Sequence, residues 1–116
     1  MKNSRPVLGP LQYAVIVLTV LTALIHLVLG MGFFQDMLGK LFVLNGVGYL
    51  ALLAALYFLP QFAGQRALVR WALMAFAGVT IVAWLVMNGD FGDMTALATK
   101  VIEVALIVAL YLDSRS

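Results

Sequence analysis

The 116-residue sequence predicts an all-α membrane protein: four transmembrane helices in an up-and-down bundle. Three observations predict it. The chain is 65% hydrophobic and 10% charged, where an average soluble domain runs near ~45–50% apolar and ~25% charged. A soluble fold of this size could not hide so much apolar surface. The apolar residues gather into four runs, each near the ~20 residues that cross a hydrocarbon core. None of the runs alternates with period two, as barrel strands would, and an isolated strand would leave its amides unpaired in lipid.

The first run, Leu11 to Gly30, follows a polar lead, MKNSRP, and a Gly9-Pro10 pair whose proline suits a helix's first turn. It is too long for the apolar stretch of a signal peptide and lacks a small-residue cleavage site. The second run is Leu41 to Leu59, the third Leu68 to Met87 and the fourth Thr95 to Leu112. Only the fourth carries charges well inside, so a helix lying in the membrane interface is its alternative. Short links join the runs: Met31–Lys40, then Pro60–Ala67 with Pro60 and Gly64 as breakers, then Asn88–Met94 with Asn88-Gly89-Asp90 and Phe91-Gly92-Asp93 as turn chemistry. Links this short make successive helices antiparallel neighbours. The expectation is one membrane domain over residues 1–116, spanning at about 11–30, 41–59, 68–87 and 95–112.

Charge sets the expected orientation. One side carries Lys2, Arg5, Arg66, Arg70 and Arg115 against Asp113 alone; the other carries Lys40 and Lys100 against Asp36, Asp90 and Asp93. Lys and Arg favour the cytoplasmic side, so a cell-membrane protein with both termini cytoplasmic is expected. Tyr13, Tyr57, Trp71 and Tyr111 near one set of helix ends, and Phe33, Phe34 and Trp84 near the other, suit interfacial aromatic belts.

Several chemistries are excluded. There is no cysteine, hence no disulfide framework, thiolate metal site or cysteine nucleophile. Seven basic residues and a net charge of +2 are too few for a nucleic-acid groove. Neither an HExxH spacing nor a Ser-His-Asp arrangement is present. No catalytic residue, metal ligand set or cofactor is therefore expected, and the protein reads as non-enzymatic.

The informative residues are polar ones inside the spans. His26, Asn45, Lys100 and Glu103 all lie about 6–12 Å below the same membrane boundary, from the helical rise. Thr19, Thr22 and His26 form one stripe of the first span; Asn45 and Tyr49 share a face of the second; Ala96, Thr99, Lys100, Glu103 and Ile107 share a face of the fourth. Facing inward, they would build one polar cluster. An ionised Glu103 in hydrocarbon must be paired or wet. Lys100, three residues away, can pair with it, and His26 or Asn45 could donate across the bundle. The plain structural account is a snorkelling lysine with ordinary interhelical hydrogen bonds.

Small residues mark the second feature: Ala98, Ile102, Ala105 and Ala109 on the fourth span, Gly48, Ala51 and Ala55 on the second, and Ala72, Ala75 and Gly78 on the third. Such residues let helices approach closely. On the second and third spans, packing inside the bundle is the expectation. On the fourth, an outward stripe opposite Glu103 would suit a homo-oligomer or a larger membrane complex. The leading function is thus a non-enzymatic interaction or accessory subunit in the lipid bilayer. The alternative is a small proton-coupled transporter using Glu103. A further alternative is a haem-, quinone- or pigment-binding subunit, although the single histidine, His26, leaves haem needing a second chain or Met31 or Met37.

The segments His26–Gly30, Leu44-Asn45-Gly46-Val47-Gly48-Tyr49-Leu50 and Ala54-Ala55-Leu56-Tyr57-Phe58-Leu59-Pro60 resemble those of small prokaryotic four-helix integral membrane proteins without assigned function. The resemblance covers nearly the whole chain and implies a multi-pass bundle. Small multidrug transporters match in length and span count, but their membrane-embedded Glu lies in the first helix, where this chain has His26 and no acid.

Overall fold

The computed structural model describes residues 8–32, 35–87 and 93–115. It contains α1 (Pro10–Gly32), α2 (Met37–Leu53), α3 (Arg66–Met87) and α4 (Met94–Arg115), with no strand among the described residues. All four helical segments are long and apolar enough to cross a membrane, and in lipid the helix satisfies every backbone group within itself. The expected features at Lys2, Arg5, Phe33, Phe34 and the Asn88–Gly92 turn fall outside the described residues.

The second apolar run does not end as one helix. α2 passes into a π-helical turn, Ala54–Phe58, and then a 3-10 segment, Pro60–Gln65. The Leu59 amide donates to the Ala54 carbonyl at 2.8 Å, a five-residue step. Pro60 supplies the reason: it has no amide hydrogen and drives Leu59 to extended backbone, φ −100° and ψ 110°. The Leu56 carbonyl left over by this change accepts from Arg66 Nε at 3.0 Å. At the start of α4, Asp93 acts as the cap, its Oδ1 accepting from the Ala96 amide at 3.2 Å.

Around the bundle the helices run α1, α2, α3, α4 and back to α1, so α2 and α4 lie on a diagonal. The α1–α2 seam is the closest, and glycine is why. A Cβ on Gly46 would sit 2.8 Å from the Ala23 carbonyl oxygen and 2.7 Å from Leu27 Cγ; one on Gly30 would sit 2.7 Å from the Gly39 oxygen. Small residues allow such backbone approach. These are not the small residues singled out from sequence. Gly48 does pack within the bundle, under the Phe76 ring of α3. Ala51, Ala72 and Ala75, however, are exposed, and nothing lies within 4 Å of a Cβ on Gly78. On α4, Ala98 and Ala105 point outward while Ala109 is buried, so the four-residue stripe does not form one face.

The core runs along the centre as Val15, Ala23, Tyr49, Leu53, Leu56, Leu73, Ala77, Leu106 and Leu110. Apolar side chains such as Val28, Leu44, Leu68, Val79, Val86 and Val101 cover the outside. That inversion of a soluble surface is what a lipid-facing bundle requires.

Candidate functional site

Two buried polar layers cross the bundle. The first centres on Glu103, whose side chain is 0% exposed. Thr22 of α1 donates to its Oε2 at 3.0 Å, and Tyr49 reaches across the diagonal from α2 to donate to the same oxygen at 2.9 Å. Lys100 Nζ stands 2.5 Å from Oε1 as a charge contact. Two hydroxyls thus converge on one carboxyl oxygen, and the Lys100 nitrogen stands against the other.

His26 lies beside this layer rather than in it. Its Nε2 is 3.9 Å from Glu103 Oε2, beyond a hydrogen bond. Its Nδ1 is 2.8 Å from the Thr22 carbonyl oxygen. A carbonyl can only accept, so Nδ1 carries a proton. Asn45 is further removed. It does not reach Glu103; its Nδ2 donates to Thr80 Oγ1 of α3 at 2.8 Å. Of the four residues singled out from sequence, the structure thus brings Lys100 and Glu103 together, sets His26 at their edge and gives Asn45 a different partner. The donors to Glu103 are Thr22 and Tyr49, which sequence placed on the stripes of His26 and Asn45 without assigning them a role.

The second layer was missed from sequence. Asp113 near the end of α4 accepts from Gln12 Nε2 at 2.6 Å, Tyr57 OH at 2.8 Å and Arg70 Nε at 3.0 Å. These residues come from α1, the π turn and α3, so one carboxylate ties them all to α4. Tyr57 corrects the expected aromatic belt: it is buried, whereas Tyr13, Trp71 and Tyr111 do face outward. The signal that could have found the layer is a repeat. Tyr49 and Tyr57 bind Glu103 and Asp113, pairs 8 and 10 residues apart on helices that run in the same direction. Replacing Asp113 with Ala is expected to lower stability by about 2 kcal/mol, because three donors lose a buried acceptor; the unfolding midpoint in detergent reads it, with Gln12→Ala as the milder comparison.

Above the first layer the bundle opens. The Asn45–Thr80 bond closes the α2–α3 seam, and beyond it, toward the start of α4, lies a cavity of ≈ 520 Å³. All four helices line it: His26 and Leu29, Leu41, Phe42 and Asn45, Thr80, Ala83 and Trp84, Thr99 and Lys100. Glu103 does not line it. Below its floor the core is filled, by Tyr49 against Phe76 edge-on at 4.8 Å and by Leu73, Leu106 and Leu110. Among the described residues no group of three metal-ligating side chains gathers.

A family model matches residues 2–113, nearly the full length. The chain belongs to DUF7475, a family of unknown function. Neither the curated proteins nor the solved structures contain a match. Within this family member, then, the chemistry has to be read from the cavity and its two layers. The arrangement is an apolar chamber of the size that holds a small molecule, with Lys100, paired to the buried Glu103, on its wall.

Proposed function

We propose that this multi-pass membrane protein is a non-enzymatic binding module that takes a small lipophilic molecule into the cavity between its helices. One observation carries the reading: the chamber, with His26, Lys100 and Asn45 on its wall, gives way below to a packed core that is locked again at Asp113. A chamber that ends against a packed core receives a ligand but offers it no path through the bundle. The proton-coupled transporter reading is weaker for a related reason. Glu103 is sealed beneath the floor, holds two hydroxyl donors and an ammonium, and meets neither the cavity nor solvent. A haem is also a poor fit to a chamber whose one histidine has no second imidazole beside it.

The charge asymmetry supports an orientation with both termini cytoplasmic, since Arg66, Arg70 and Arg115 lie at the end that carries Gln12 and Asp113. The cavity would then open toward the outer leaflet or the space beyond it.

The test is native mass spectrometry of the full chain after mild detergent extraction, with Ala83→Trp as the comparison. Ala83 lines the cavity, and an indole there fills it. The wild type is expected to carry one small lipophile per chain and the variant none, at equal helicity by circular dichroism. A wild type that carries only a second protein favours the accessory-subunit reading and overturns this one. So does proton flux in liposomes that Glu103→Gln abolishes, in favour of transport.

A further inference from the structure

We infer that the cavity selects a neutral lipophile whose head donates hydrogen bonds, such as a hydroxylated aromatic ring. The inference rests on the binding-module reading and goes on to name the ligand class. It follows from where the protons on the cavity wall are already committed.

The Thr80 hydroxyl donates its only hydrogen to the Phe76 carbonyl at 2.8 Å. Toward Asn45 it can therefore only accept, which fixes the Asn45 amide with its NH₂ toward Thr80. Asn45 Oδ1 is left as a buried acceptor with no hydrogen-bond partner among the described residues. Thr99 likewise donates to the Thr95 carbonyl at 2.8 Å, so its oxygen is also an acceptor only. His26 has its Nδ1 proton committed to the Thr22 carbonyl, and its Nε2 faces Glu103 at 3.9 Å. Two helices, α2 and α4, therefore bring acceptors to one chamber. A buried acceptor left without a donor is unfavourable, and a ligand hydroxyl supplies the donor.

Charge argues against the other classes. Among the described residues Lys100 is the one lysine or arginine on the cavity wall, and Glu103 beneath it cancels it. Asp93 adds a carboxylate at the start of α4. A carboxylate or phosphate head finds no surplus positive charge there. A cationic head finds Glu103 out of reach beneath the floor, and Asp93, at the exposed start of α4, already caps the Ala96 amide. The lysine's remaining hydrogens suit the oxygen of a neutral hydroxyl or carbonyl, and Phe42 and Trp84 on α2 and α3 give aromatic walls for a ring.

Trp84 makes the test direct. The chain has two tryptophans, and Trp71 is exposed at the far end of α3, so a Trp71→Phe background leaves a single indole on the cavity wall. The full chain in lipid nanodiscs is titrated with para-octylphenol, its methyl ether para-octylanisole, and octanoate, reading Trp84 fluorescence. The phenol is expected to saturate and to bind about tenfold more tightly than the ether, the loss that follows when an acceptor goes unpaired. Asn45→Leu is expected to erase most of that difference while leaving the ether unchanged. Equal affinity for phenol and ether in the unsubstituted cavity overturns the ligand class while the binding-module reading stands. Tightest binding by octanoate overturns it in favour of an anion site. Failure of all three probes to perturb Trp84 overturns the binding-module reading as well.

Discussion

Gly46→Val is expected to lower the stability of the bundle by about 3 kcal/mol, the upper range for overpacking a close-fitting interface. A Cβ at this position meets the Ala23 carbonyl oxygen at 2.8 Å, and backbone cannot rotate away as a side chain can. α1 and α2 must separate. Thr22 on α1 and Tyr49 on α2 both reach Glu103, so the separation also strains the buried layer. Gly78→Ala is the control, because a Cβ there meets nothing within 4 Å. Unfolding in detergent or by denaturant titration in bicelles should show a large loss for the first and a change within about 0.5 kcal/mol for the second. Equal effects would mean that helix propensity, not the α1–α2 approach, controls stability.

Glu103→Leu carries an effect of comparable size, about 3–4 kcal/mol, for an electrostatic reason. Removing one partner of a buried ion pair leaves the other charge uncompensated. Here the survivor is Lys100, whose side chain is 11% exposed, and the hydroxyls of Thr22 and Tyr49 lose their acceptor as well. Glu103→Gln should cost less, since an amide oxygen still accepts from both hydroxyls. The double change Lys100→Met with Glu103→Leu should recover much of the loss, because replacing both members of a buried pair by apolar groups is often close to neutral. A double-mutant cycle on unfolding free energies measures the coupling. If the double variant is no more stable than Glu103→Leu alone, the lysine is not the group that suffers, and the hydroxyl donors dominate the layer.

These two residues also separate what could be seen from what could not. The ion pair between Lys100 and Glu103 was legible because both residues are on one helix, where three-residue spacing sets distance without any knowledge of neighbours. The common depth of His26, Asn45 and Glu103 was legible for a similar reason: rise per residue is constant and short links hold the helices in register. The partner of Asn45 was not legible. Whether it meets Glu103 or Thr80 depends on how α2 is rotated against α3, and rotation is set by packing. Tyr57 misled, and the partner of Arg70 went unread, for a different reason. An aromatic or an arginine near a helix end looks the same in sequence whether it anchors at the membrane surface or turns inward to a carboxylate such as Asp113.

The sequence by itself determined that four helices are long and apolar enough to cross a membrane, their approximate bounds, and that Lys100 and Glu103 pair on the fourth with His26 beside them. All of these follow from composition and from the fixed geometry of a helix in lipid. Only the tertiary structure decided that glycines 30 and 46 let α1 and α2 approach, that Asp113 gathers Gln12, Tyr57 and Arg70, and that the α2–α3 seam opens above Thr80 into a chamber. The physical reason is that the angle of each helix about its own axis is fixed by side-chain fit with its neighbours, and no local pattern in a uniformly apolar chain encodes that angle strongly enough to be read.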